Sequence, residues 1–95
     1  MDPITLLILG IIGAAAATAA ISWTVIQNWI DANKIPQGTA RIIKSRMASG
    51  KYRVVGGVFN QVGTLVTQTS WEASKIDDDL DRRLRQSGGV IVIKT

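Results

Sequence analysis

The densest group of potentially reactive side chains in this 95-residue sequence is acidic. Four carboxylates fall within one short run: Asp77, Asp78, Asp79 and Asp81. Carboxylate oxygens are ligands for hard cations such as Ca²⁺, so the run raises the question of a metal site. On a helix, however, neighbouring side chains point in different directions, and early acids are stabilised by the helix macrodipole. We interpret the run as a solvated helix face and predict no metal site.

Other catalytic side chains are scarce. The sequence contains no histidine and no cysteine, which removes thiolate nucleophiles, the usual zinc sites and the side chain that titrates near neutrality. Serines and threonines are scattered without a histidine base, and the lysines are expected in charged, solvated surroundings and not in an apolar pocket. We predict no catalytic residue, no cofactor and no small-molecule substrate, and therefore a protein that is not an enzyme.

The charge balance is basic, with eleven Lys and Arg against seven Asp and Glu. Such a balance suits anionic lipid headgroups, nucleic acid or an acidic protein partner. Nucleic acid is the weakest of these partners, because Tyr52, Phe59 and Trp71 do not form a recognisable stacking motif. Lipid and protein therefore remain the expected partners.

The first thirty residues predict a transmembrane helix. The chain carries no formal charge from Pro3 to Ile30, and as a helix Ile4–Ile30 would extend roughly 40 Å, more than the approximately 30 Å of hydrocarbon in a bilayer. Trp23 and Trp29 are typical of the boundary where indole rings lie among headgroups. We therefore expect residues 1–30 to span the membrane.

Basic residues follow this span on one side only, within an acid-free run: Lys34, Arg41, Lys44, Arg46, Lys51 and Arg53. The positive-inside rule then places residues 31–95 in the cytoplasm, so a single-pass protein of the inner membrane is expected. The same residues are candidates to contact anionic headgroups. Alternatively, they only set orientation and keep a small domain in solution.

Small residues recur at helical spacing within the span: Gly10, Gly13, Ala14 and Ala17. This face would allow another helix to approach closely, which makes self-association or packing against another span an open alternative. Two other interpretations of the segment remain. It could be a cleaved secretory signal, or the buried centre of a helical oligomer or filament.

The rest of the chain predicts a linker over 31–38 and a small α+β domain over 39–95. Thr39–Ser49 is expected to form a short helix that Gly50 ends in a left-handed conformation. Alternating apolar positions then predict a β-hairpin, with strands near 52–59 and 64–71. Gly56-Gly57 in the first strand does not fit a phosphate loop, and indicates a bulge or close packing, with Trp71 as a candidate neighbour.

A second helix is predicted over 74–86, because apolar residues recur every four positions and acidic residues precede basic ones. Ser74 and Asp77 match a capping arrangement at its start. The run Val90–Lys94 is β-branched and predicts a strand covered on both sides, pairing centrally with the hairpin. A ββαβ unit follows the short helix, and with one small sheet some apolar surface should remain for a partner.

A family likeness rests on three features: the opening MDPITL, the single span ending in tryptophans, and the pattern YRVVGGVFN followed by WEA, IDDDL and VIVI. The chain resembles a group of short, uncharacterised bacterial proteins with one N-terminal transmembrane span and a small cytosolic tail. The resemblance covers most of the chain and includes no catalytic motif. It implies this architecture and no activity or functional residue.

The expected function is that of a non-enzymatic, membrane-anchored interaction or adaptor protein with a small protein-binding domain. One alternative is a small oligomerising membrane-active protein, holin-like or toxin-like. Another is a structural subunit of a membrane complex, a virion or a filament.

Overall fold

The computed structural model describes residues 16–17, 19–46 and 50–95 of the chain. These residues form an α+β fold with the following elements in chain order: β1 (Ala16–Ala17), α1 (Trp23–Asn33), β2 (Thr39–Arg46), β3 (Tyr52–Phe59), β4 (Leu65–Ala73), α2 (Asp78–Gln86) and β5 (Val90–Lys94). The α+β class that the sequence predicts is confirmed.

One sheet joins the strands in the order β1-β4-β3-β2-β5. The four longer strands pair with one another in antiparallel, and the two-residue β1 pairs with β4 in parallel. The hairpin of β3 and β4 follows the prediction closely, and its register shifts between Val58 and Phe59. Because β2 lies between β3 and β5, it is one of the two inner strands of the antiparallel part, together with β3.

The main core lies between the two helices and one face of the sheet, here called the helix face. Its buried apolar residues come from both helices and from every long strand: Ile21, Ile26, Ile30, Ala40, Ile42, Val54, Val58, Trp71, Ala73, Leu80, Leu84 and Ile91. A smaller cluster of Ile43, Val55 and Phe59 lies on the opposite face, here called the second face. Alternation along each strand places these two sets on opposite faces.

Side-chain caps fix where both helices begin. The Ser22 hydroxyl accepts a hydrogen bond from the backbone N–H of Val25 at 3.3 Å. The Asp77 carboxylate accepts one from the backbone N–H of Asp79 at 2.8 Å. The second helix therefore begins after Asp77 and not at Ser74 as the sequence predicts. Ile76 forms a parallel bridge with Ile21, and this pairing holds the residues before the cap in an extended conformation.

The predicted transmembrane helix is not continuous through the described residues. Ala16–Ala17 are in a strand, Ile21 is in a bridge, and α1 has only 11 residues. Within the described ranges, no helix is both long and apolar enough to cross a bilayer. Ile26 and Ile30 are buried against the sheet, so α1 shares the core formed with the strands. The part of the predicted span before residue 16 lies outside the described residues.

The predicted helix over Thr39–Ser49 is wrong, because Thr39–Arg46 is the strand β2. The Ile42-Ile43 pair fits a helical stripe, but in the strand these side chains lie on opposite faces, and both are buried. Hydrogen bonding to a strand on each side then outweighs local helix propensity. Gly50 does adopt the predicted left-handed conformation, with φ +87.

Close packing at Gly56 is confirmed. A Cβ built there would lie 2.9 Å from Cδ1 of Ile42 and 3.3 Å from Cζ3 of both Trp29 and Trp71. The two indoles meet edge to face, with ring centroids 5.8 Å apart. Gly56 therefore leaves the room that the tryptophan pair occupies above the sheet.

Candidate functional site: the free edge of strand β5

Strand β5 is the last strand of the described sheet on its side. The predicted central position is therefore wrong: β5 pairs with β2 and not with the hairpin. Its second side has no partner among the described strands. An edge strand with unpaired backbone groups is a template for another extended segment.

The register shows which backbone groups this edge presents. Thr95 donates its amide hydrogen to the Gly38 carbonyl at 3.0 Å, on the β2 side. Because the direction of N–H and C=O groups alternates along a strand, those of Ile91 and Ile93 also point toward β2. Those of Val90, Val92 and Lys94 therefore point outward, away from the sheet.

Two clefts flank this edge. The larger, of about 600 Å³, lies between the end of α1 and the end of β5 and is lined by Gln27, Ile30, Asp31, Lys34, Ile35, Pro36, Ile93, Lys94 and Thr95. The smaller, of about 300 Å³, is lined by Trp23, Arg83, Gln86, Ser87, Ile91, Val92 and Ile93. Both clefts share Ile93, so they form neighbouring recesses along one strand.

The side chains of β5 divide between the two faces. Ile91 and Ile93 lie on the helix face, where they contact the main core. Val92 lies opposite Arg41 on the second face and is 52% exposed. An exposed β-branched residue on an edge strand gives the edge an apolar contact surface.

Charges around this edge are mainly positive. Lys34 pairs only loosely with Asp31, at 3.8 Å, and both side chains are 55% exposed. The Asp31 carboxylate also accepts a hydrogen bond from the side-chain amide of Gln27 at 3.1 Å. Arg83 stacks over the Trp23 ring at 4.6 Å and bonds Asp79 at 3.4 Å. Lys94 is exposed at the end of the strand.

The five described side chains among the six basic residues proposed for lipid contact have different surroundings. Lys44 lies over the Tyr52 ring and bonds Asp81 of α2 at 3.3 Å. Arg41 stacks over Phe59 at 4.9 Å. The remaining three described side chains differ as well: Lys34 lies at the end of α1, Lys51 is exposed, and Arg53 bonds Glu72 at 3.5 Å.

Arg46 ends β2, and its side chain is outside the described part. The lipid contact of these six residues stays a prediction.

The predicted interface tryptophans contact protein. Trp29 packs against Trp71, and Trp23 packs under Arg83. Of the small residues proposed for helix packing, Gly10, Gly13 and Ala14 lie outside the described residues, and Ala17 is in β1.

The acidic run is part of α2, as predicted. Asp77 caps the helix, while Asp79 and Asp81 pair with arginines and with Lys44. Among the described residues, no group of acidic side chains could hold a metal ion. These carboxylates therefore stabilise α2 and its contact with the sheet.

Sequence reasoning missed the free edge because strand order depends on pairings between distant residues. One signal was present: Lys94 ends a run of four β-branched apolar residues, and lysine is common on exposed edges. Comparison of the chain with protein-family models, curated proteins and solved structures gives no match.

Proposed function

We propose that this chain is a non-enzymatic protein-interaction domain that binds an extended segment of a partner by strand addition along β5. The observation that carries the proposal is the side of β5 that has no strand partner among the described residues, where the backbone groups of Val90, Val92 and Lys94 are directed outward. In strand addition, main-chain hydrogen bonds supply affinity, and recesses beside the strand select side chains.

The flanking clefts support this mode of binding. A segment paired with β5 would direct alternate side chains to the helix face, where the two clefts adjoin Ile91 and Ile93. Its other side chains would meet the exposed Val92 on the second face. The edge therefore offers both a backbone template and side-chain contacts.

Hydrogen exchange of backbone amides tests the proposal. A peptide selected from a random display library on the full chain should protect the amides of Val90, Val92 and Lys94 when it binds. The amides of Ile91 and Ile93 should be protected with or without peptide, because they already bond to β2. A peptide that binds without protecting the outward amides would refute strand addition.

A matched pair of variants isolates the backbone contribution. Val92→Pro removes one outward N–H, which the edge of a sheet tolerates because β2 does not use it. Val92→Thr keeps that N–H and the β-branched shape. We expect the proline variant to lose peptide binding and the threonine variant to retain it, with circular dichroism showing both folded.

A further inference from the structure

We infer that the segment added to β5 is acidic, carrying carboxylates that meet the cations around this edge. This inference rests on the proposed function and names the chemical class of its partner. The recesses at β5 can accept many side chains, so the charge of the lining decides which segments bind best.

Cations lie on both faces of the sheet beside β5. On the second face, alternation places Lys94 on the same side as Val92, whereas Arg41 leans over Phe59 of β3 and away from the edge. On the helix face, Lys34 lines the larger cleft and Arg83 the smaller. An added strand would therefore meet positive charge whichever way its side chains point.

Few acids offset these cations. Among the described side chains that line the larger cleft, Asp31 is the acidic one. Its carboxylate accepts a hydrogen bond from Gln27 and forms an ion pair with Lys34. Arg83 is partly neutralised by Asp79. The cations at the end of the strand, Lys34 and Lys94, are thus the ones best placed to bind a carboxylate, since a half-exposed pair at 3.8 Å is weak.

An acidic segment fits the edge better than a second copy of this chain. Each chain carries a net charge of +4, and a copy paired along β5 would bring its own Lys34 and Lys94 to the shared sheet. Like charges brought together disfavour an interface. Carboxylates on a partner segment would instead speed association and reduce the repulsion between Lys34 and Lys94. The occupant is therefore a partner segment rich in Asp or Glu.

Three labelled eight-residue peptides test this inference on the full chain by fluorescence anisotropy. They alternate valine with glutamate, with serine or with lysine. We expect the glutamate peptide to bind about ten-fold more tightly than the serine peptide, and the lysine peptide to bind more weakly than both. The difference should shrink as salt is raised from 0.05 to 0.5 M, because these charges are exposed and screened.

Two single-charge variants provide the matched comparison. Lys94→Gln should lower the affinity for the glutamate peptide about three- to five-fold, which is the effect of one exposed ion pair, and leave the affinity for the serine peptide unchanged. Lys51→Gln also removes one positive charge, but beyond the opposite end of the sheet, where Arg46 pairs with Tyr52. It should change the affinity for neither peptide.

The outcomes separate the two proposals. Equal binding of all three peptides, abolished by Val92→Pro, would overturn the acidic preference and leave strand addition standing. A dimer by light scattering that Val92→Pro dissociates would replace the acidic segment with a second copy. Binding of vesicles containing phosphatidylserine, with no peptide bound, would overturn both proposals in favour of a lipid surface.

Discussion

Substituting Gly56 tests whether the tryptophan pair over the sheet depends on the missing side chain. A Cβ at this position would lie 2.9 Å from Cδ1 of Ile42, closer than van der Waals contact allows, and 3.3 Å from both indoles. Overpacking of this kind costs typically about 1–3 kcal/mol. Gly56 is not among the glycines with positive φ, so alanine also gains about 0.4–1 kcal/mol from the reduced entropy of the unfolded chain.

At the midpoints of these ranges Gly56→Ala is less stable by about 1.3 kcal/mol, which for a chain of this size lowers Tm by roughly 5–10 °C. Thermal and urea unfolding of the full chain, followed by circular dichroism, measures the change. Fluorescence of the tryptophans reports whether the environment of Trp29 and Trp71 shifts at the same time. A red-shifted emission in the folded state would show that the indoles have moved outward.

A second substitution makes the reasoning specific. Ile42→Val removes the Cδ1 atom that the new methyl group would meet, and alone should cost about 0.5–1.5 kcal/mol. In the double variant the two changes should compensate by about 1 kcal/mol, because the added carbon occupies the space that the deleted one leaves. The reasoning is refuted if Gly56→Ala is as stable as the parent chain, or if the two costs add within about 0.5 kcal/mol.

Further predictions concern the core and the second helix. Leu84 of α2 is 1% exposed, so Leu84→Ala should destabilise the chain by about 2–5 kcal/mol in urea unfolding. Val62, at 83% exposure, is the control, and an alanine there should change stability by less than about 0.5 kcal/mol. Asp77→Ala should cost about 0.5–2 kcal/mol because it removes the cap acceptor, whereas Asp77→Asn should retain most of that stability. Equal losses for the alanine and asparagine variants would show that the cap is not the cause.

The hairpin and the second helix were predictable because their signals are local. Alternation along β3 and β4 requires only neighbouring residues, and in α2 the acids and arginines are arranged along the helix dipole. The close approach at Gly56 was also predictable, since a glycine pair inside an apolar strand indicates tight packing. These features follow from the spacing of apolar residues and from the residue types within about ten positions of the sequence.

The candidate site was not predictable in the same way. Val90–Lys94 was recognised as a strand, but its neighbour, its outward groups and its flanking clefts depend on residues from α1, β2 and α2. The positions of acidic and basic residues in the sequence likewise did not show that Lys34 and Lys94 line the same cleft. Proximity of this kind requires the folded chain.

By itself, the sequence determined the elements whose periodicity is unambiguous: the hairpin, the helix α2 and the strand β5. Tertiary structure decided the rest. The Ile42-Ile43 pair satisfies a helix or a buried strand, and hydrogen bonding to β3 and β5 selected the strand. The apolar residues of α1 could have been buried in lipid or in protein, and the sheet buries Ile26 and Ile30. In both places the local pattern is compatible with two structures, so contacts between distant residues make the choice.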